Sequence, residues 1–289
     1  MFEKKMSCKL RTALLFSAFV ILSWEHQSFA QTESSTDLLQ QIRAHNSGIA
    51  VWWAGQNGWL IKLDDVLIST DLVLEDPQRI SPPPISSSEL AAELDISFVT
   101  HEHGDHFHPP TSRVLARDSE CIFVVPQNCV EKARKLGIPK DRIHIASPKQ
   151  PFKLKGIDVR PMRALHGNPN YAVHEKANLE DCGYLFTYRG RRILQPGDSV
   201  LLEDHLFLEH VDLLFFSPTV HNTHIDRSVI LINTLEPNYV LPQHRTTYRE
   251  TPENQYWTHA YVEEVKWLLS ESLQQRYHVL ELGERLLIE

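Results

Sequence analysis

The sequence predicts a layered α/β domain, and three observations carry that prediction. Short apolar runs bounded by turn residues recur along the chain, segments with helical apolar spacing lie between them, and no internal repeat or low-complexity tract interrupts the series. At 289 residues, 42% of them apolar and 23% charged, the composition excludes collagen-like, coiled-coil and wholly disordered chains. The formal charge of −8 is spread along the chain without a basic stripe, so a nucleic-acid partner is not expected. Sixteen histidines make their clustering the first question.

Strands are expected over 49–53, 59–63, 66–69, 96–100, 122–125, 142–145, 157–162, 184–188, 191–194, 211–216 and 239–241. Helical spacing appears over 38–42, 88–94, 111–117, 130–136 and 227–235. Four prolines and four serines make 77–88 a loop. Residues 257–273 read as one amphipathic helix, with Tyr261, Val265, Leu268 and Leu269 on its core face. Residues 279–282 and 286–288, separated by a turn at Gly283, read as a closing hairpin. The long polar stretch 167–182 is either a lid carrying Tyr171 and His174 or a surface loop without a catalytic part.

Lys4, Lys5, Lys9 and Arg11 precede an apolar run over 13–24, and Ser28 and Ala30 supply the small residues of a signal-peptidase site. Residues 1–30 therefore read as a signal peptide and 31–289 as one catalytic domain, periplasmic or secreted. The alternative is an uncleaved anchor, although a spanning helix needs about 20 apolar residues. No other segment is long and apolar enough, so no stable membrane span is expected after cleavage. Cys121 and Cys129 are near enough in sequence to pair in an oxidising compartment. Nothing in the sequence bears on oligomeric state.

The chemistry concentrates in His101-Glu102-His103-Gly104-Asp105-His106, five potential metal ligands within six residues, directly after the run 96–100. An extended backbone would point His101 and His103 to one side. Gly104 permits a turn that redirects Asp105 and His106. His166, Asp198 and His244 each stand just past the carboxyl end of an apolar run, where ligand sites of open α/β sheets gather. Singly, His244 is an ordinary packing histidine and Asp198 a turn residue. Together with the hexapeptide, these five histidines and two carboxylates can hold two divalent metal ions.

These residues resemble the metallo-β-lactamase superfamily. Its H-x-H-x-D-H signature is matched at His101, His103, Asp105 and His106, and His166, Asp198 and His244 match its later histidine, bridging aspartate and final histidine. The stretch 51–62, VWWAGQNGWLIK, is similar to the opening of the L-ascorbate-6-phosphate lactonase-like branch. The resemblance covers 48–288 and implies a four-layer αββα sandwich with its metals at one edge. It implies that His101, His103 and His166 hold one ion, that Asp105, His106 and His244 hold a second, and that Asp198 bridges them. Asp71 stands where the family often has an aspartate supporting the site. Zinc is the expected metal, with manganese or iron equally suited by the ligand types. The aspartate at 198, where the best-known true β-lactamases use a cysteine, argues against a dedicated antibiotic-destroying enzyme.

Two metals sharing a water lower its pKa toward neutrality and polarise a substrate oxygen. The expected function is hydrolysis of a small-molecule ester, lactone or phosphodiester, with Asp105 and Asp198 as the catalytic carboxylates. Asp198 would orient the nucleophile and pass a proton to the leaving group. His221 and His224 are candidate pocket residues, the alternative being that His224 and Asp226 only open the helix that follows. His108 is near the hexapeptide, but Pro109 and Pro110 follow it and suit a helix entry. The competing functions are an iron-dependent oxidoreductase or dioxygenase on the same scaffold and a non-catalytic metal-binding protein. Structural zinc sites are usually closed and cysteine-rich, which disfavours the last.

Overall fold

The computed structural model describes residues 35–289 apart from 171 and 176, so the expected signal peptide and Tyr171 lie outside the described residues. Side-chain alternation on the strands decides the architecture. In β1 (Ile49–Gly55) every residue is buried. Ile49, Val51 and Trp53 join one apolar cluster, while Ala50, Trp52 and Ala54 join another. A strand buried on both faces needs a packed layer on each side.

β1 is followed by β2 (Gly58–Leu63), β3 (Val66–Thr70), β4 (Ile96–Phe98), β5 (Ile122–Pro126) and β6 (Ile143–Ala146). β1 to β3 pair antiparallel, and β3 to β6 run parallel. The second sheet holds β7 (Phe152–Leu154), β8 (Ile157–Arg163), β9 (Cys182–Tyr188), β10 (Arg191–Gln195), β11 (Leu213–Phe216) and β12 (Tyr239–Pro242) in that spatial order. It is antiparallel as far as β10 and parallel beyond. β13 (Arg285–Ile288) returns to the first sheet and pairs antiparallel with β1.

Helices α1 (Ser35–Ala44), α2 (Ser87–Leu90), α3 (Pro109–Asp118) and α4 (Val130–Lys135) cover the first sheet through Leu38, Leu90, Leu115 and Ala133. Between the sheets, Trp53, Trp59, Phe98, Tyr184 and Phe215 form the central core. After α5 (Glu203–Leu206) come α6 (His224–Leu235), α7 (Gln255–Thr258), α8 (Val262–Trp267) and α9 (Glu271–Gln274). Leu231, Val265 and Leu273 pack α6, α8 and α9 against Leu194, Leu214 and Phe216 of the second sheet. The result is the expected αββα sandwich. Among the described residues, no helix is long and apolar enough to cross a membrane.

The helix expected over 257–273 is instead three short ones. Tyr261 N–H is drawn to Pro218 O at 3.1 Å, and Ser270 turns extended as the N-cap of α9, a position serine favours. Val265 and Leu269 are buried as expected, but Leu268 lies just past the end of α8 and is 61% exposed. The closing hairpin is also absent. Tyr277 bridges Val240 at the edge of the second sheet. Gly283 (φ +76°) then turns the chain, donating its N–H to Trp53 O at 2.8 Å, so β13 crosses to the first sheet. Cys121 and Cys129 are buried and free, without the considered disulfide.

One polar layer interrupts the core between the sheets. Gln195 and Gln243 exchange amide hydrogen bonds of 2.9 and 2.8 Å. Trp59 Nε1 donates to Gln243 Oε1 at 2.8 Å, and Gln243 Nε2 donates to Ser217 Oγ at 3.2 Å. These groups are buried, so the bonds replace lost hydration. The layer ties β2 to the ends of β10 and β12, where the site begins. Replacing Gln243 with alanine would orphan the Trp59 N–H and remove both bonds of the exchange with Gln195. Urea unfolding is expected to show a loss of about 1–3 kcal/mol, and an unchanged stability would mean that the layer contributes nothing.

Candidate metal centre

The site assembles where strands of both sheets end. Beyond β4 the chain coils, with His106 and Phe107 N–H donating to His103 O at 3.1 and 2.8 Å. This is the turn expected at Gly104, and it redirects Asp105 and His106; the chain over 101–103 bends instead of running extended as expected, with the His101 and His103 ring centroids 4.6 Å apart. β8 leads to His166, β10 to Asp198, β11 to His221 and β12 to His244.

His101, His103 and His166 each bring one donor atom within 4.8 Å of the others, as do Asp105, His106 and His244. Asp198 stands between the two groups. Its Oδ1 is 3.5 Å from His106 Nε2, and its Oδ2 is 3.6 Å from His166 Nε2 and 3.1 Å from His244 Nε2. Asp71 Oδ2 accepts from His106 Nδ1 at 2.9 Å and is itself held by Thr100 Oγ1 at 2.7 Å. Such a partner fixes the imidazole tautomer and leaves Nε2 facing the site. Gly167 O does the same for His166 Nδ1 at 2.7 Å. Only glycine fits at 167, because a Cβ there would lie 1.9 Å from His221 O.

Burial holds the His101 imidazole well below its ordinary range and pushes His166 down to about 3. Burial also works against an ionised Asp198, yet His244, His106 and His221 overcome it and hold that carboxyl well below the usual range. At Asp105, burial is likewise outweighed by His106 and His244. Burial disfavours a charge on His106, but Asp198, Asp105 and Asp71 raise it well above its ordinary value. The ionised carboxylates and the neutral imidazoles of His101 and His166 are in the states that metal binding requires, while His106 would have to give up its Nε2 proton to an ion.

Two observations test whether a metal fits these residues. His101 Nε2 and His106 Nε2 are buried without a hydrogen-bond partner, a condition folded proteins avoid and ligation would relieve. His221 Nδ1 faces Tyr256 O at 3.1 Å while its Nε2 faces Asp198 Oδ2 at 2.7 Å. A neutral imidazole has one N–H, so a second nitrogen facing a carboxylate calls for a proton or a metal ion. The donor set fits a divalent transition metal.

Sequence reasoning gave no role to Gln56 and Asn57, in the turn between β1 and β2. Gln56 Nε2 lies 3.0 Å from Asp105 Oδ2 and 3.0 Å from His244 Nδ1. Asn57 Nδ2 donates to Asp198 Oδ1 at 2.8 Å. The one signal for them was their place within the similar stretch 51–62. His221 joins the centre more closely than a pocket wall would. His224 does not line the pocket: it opens α6, with its ring 4.8 Å from Tyr261. Its backbone is drawn there by the His224 N–H bond to Thr219 O at 3.0 Å. His108 caps α3 through Thr111 N–H. His174, in contrast, reaches the pocket, with its ring 5.2 Å from His166. The pocket is about 370 Å³, with Tyr248, Tyr256, Trp257 and Asp76 around the centre.

A model described as the beta-lactamase superfamily domain matches residues 66–244, more than half of the chain. The chain belongs to the beta-lactamase superfamily. An uncharacterized protein of Mycobacterium tuberculosis (strain ATCC 25618 / H37Rv) is 33% identical over 110 residues, 35% of this chain and 29% of that protein. A probable L-ascorbate-6-phosphate lactonase of Shigella boydii serotype 4 is 24% identical over 135 residues, 43% of this chain and 38% of that protein. The matches thus span well under half of these curated relatives, and the second supports the branch suggested by residues 51–62. Igni18, a metallo hydrolase from the archaeon Ignicoccus hospitalis KIN4/I, has the same fold, with a TM-score of 0.65 at 18% identity over 84% of this chain and 99% of that one.

Within this superfamily fold, Asp71 reaches the centre through its hydrogen bond with His106 and is held there by Thr100. An Asp71→Asn variant is expected to bind metal about 10- to 100-fold more weakly, as measured by competition with a chromophoric chelator. Unchanged affinity would detach Asp71 from the site.

Proposed function

We propose that this protein is a metal-dependent hydrolase that cleaves a small ester, lactone or phosphodiester with two divalent ions at its centre. One observation carries the reading: unpartnered histidine nitrogens and ionised carboxylates converge on Asp198 beside a pocket sized for a small molecule. His101, His103 and His166 would hold one ion, Asp105, His106 and His244 the other, with Asp198 between them. Zinc is the expected metal, and manganese or iron suits the same donors. Ions bound there would acidify a water and polarise the carbonyl or phosphoryl oxygen of the substrate.

The remaining work belongs to the chain's own side chains. Asn57 holds Asp198 Oδ1, which leaves Oδ2 to take a proton from the attacking water and return it to the leaving group. His221 Nε2, 2.7 Å from that oxygen, can share the proton while the Tyr256 carbonyl keeps its ring oriented. Gln56 holds Asp105 and His244 in register with each other. We also propose that residues 1–30 direct export and that 31–289 form the working domain. Support for this comes from the basic, apolar and small-residue order of that segment.

The deciving measurement is metal content of the protein purified without added metal, beside an Asp105→Ala/His106→Ala double variant. The expected outcome is about two zinc or manganese ions per chain, lost in the variant, with lactone or phosphodiester hydrolysis abolished by chelation. Iron with oxygen-dependent turnover would replace this reading with a redox one. No metal in either protein would end both.

A further inference from the structure

The pocket beside the centre carries a bias of charge and shape, and its meaning rests on the hydrolase reading above. Among the described residues lining it there is no lysine or arginine. Two cations from neighbouring segments direct their N–H groups to backbone carbonyls instead of into the pocket. Arg79 donates from Nη1 to Val73 O at 2.6 Å, from Nη2 to Ala54 O at 3.2 Å and from Nε to Ser81 O at 3.2 Å. Lys132 Nζ donates to Glu102 O and stands 5.1 Å over the Phe107 ring.

Apart from Asp105 and Asp198, the carboxylate in the lining is Asp76. Tyr248 Oη donates to its Oδ2 at 3.0 Å and fixes its position. His108 Nε2 lies 3.8 Å from the same oxygen. An aromatic wall completes the pocket. The Trp257 ring is 5.5 Å from Tyr248 and 6.2 Å from His244, and the Tyr256 ring is 6.0 Å from His221. The wall therefore begins at two histidines of the centre, where the part of a substrate next to the scissile bond would lie.

We propose that the substrate carries an uncharged aromatic or flat apolar group beside the scissile bond, held against Trp257 and Tyr256, and that Asp76 turns away substrates with an anionic tail. A flat ring gains stacking area on this wall. A phosphate or carboxylate tail would meet Asp76 with no lysine or arginine among the described lining residues to pair with it. An anionic group seated on the metals themselves falls outside this discrimination, because bound cations reverse the local field.

The test pairs binding with turnover on the zinc-loaded full chain. Calorimetry compares a phenyl-substituted γ-lactam with a γ-lactam bearing a phosphomethyl group, neither of them readily hydrolysed. The phenyl compound is expected to bind at least about tenfold more tightly. Trp257→Ala should remove about tenfold of that affinity at unchanged zinc content, and Trp257→Phe should keep most of it. Asp76→Asn should improve binding of the phosphorylated lactam by about tenfold. Equal or tighter binding of the phosphorylated compound to the parent protein, or indifference to both Trp257 variants, overturns the proposal. Turnover of the corresponding phenyl and phosphorylated lactones then separates the two readings. Hydrolysis of both with equal kcat/KM sinks the discrimination and leaves the hydrolase. Tight phenyl-lactam binding without turnover of any lactone or ester sinks the hydrolase and leaves the pocket assignment.

Discussion

A carboxylate at 3% exposure, Asp198, is the constraint around which the site is built. A buried ionised carboxylate is tolerated only when paired and hydrogen-bonded. Here the compensation arrives from separate elements: Asn57 from the β1–β2 turn, and His106, His166, His221 and His244 from the ends of four strands. Each of those groups is itself buried. None could be taken away without leaving another uncompensated, so the two sheets are locked together at this edge by charge as well as by apolar packing.

The same constraint accounts for local backbone that would otherwise be costly. Gln56, Asp71 and His244 all adopt left-handed backbone, with φ of +51°, +42° and +60°. Such conformations in residues with a Cβ persist only where the surroundings over-determine them, and they gather at functional sites. Each is pinned by a hydrogen bond from its own N–H. Gln56 N–H donates to Thr247 Oγ1 at 2.6 Å, Asp71 N–H to Phe98 O at 3.0 Å, and His244 N–H to Gln56 O at 3.0 Å. Below them the Gln195–Gln243 layer reaches the site through Ser217 Oγ, 3.4 Å from Asn57 Oδ1. Strain at the rim is thus carried by a satisfied polar network in the core.

Much of this was legible in the sequence because its causes are local. The inter-sheet strands announce themselves by apolar runs, since burial on both faces leaves few polar positions. The hexapeptide 101–106 is dense enough in donors to stand out unaided, and His166, Asp198 and His244 follow strands that end at the same edge. Legibility failed where tertiary contacts override local pattern. Apolar spacing over 257–273 could not show that Pro218 would claim the Tyr261 N–H and divide the helix. Gly283 was recognisable as a turn, but its partner Trp53 lies in another sheet and redirects what looked like a hairpin.

By itself, the sequence determined the layered α/β class, the positions of most inter-sheet strands and the donor types of the centre, because apolar periodicity and ligand chemistry are written residue by residue. Tertiary structure alone decided which donors meet. Gln56 reaches His244 across 188 positions, and Asn57 reaches Asp198 across 141. It also decided that His221 enters the centre while His224 opens a helix three residues later, and that Tyr256 and Trp257 become a wall beside them. The physical reason is that a buried charge is stabilised by whatever surrounds it in space, and no spacing along the chain records that neighbourhood.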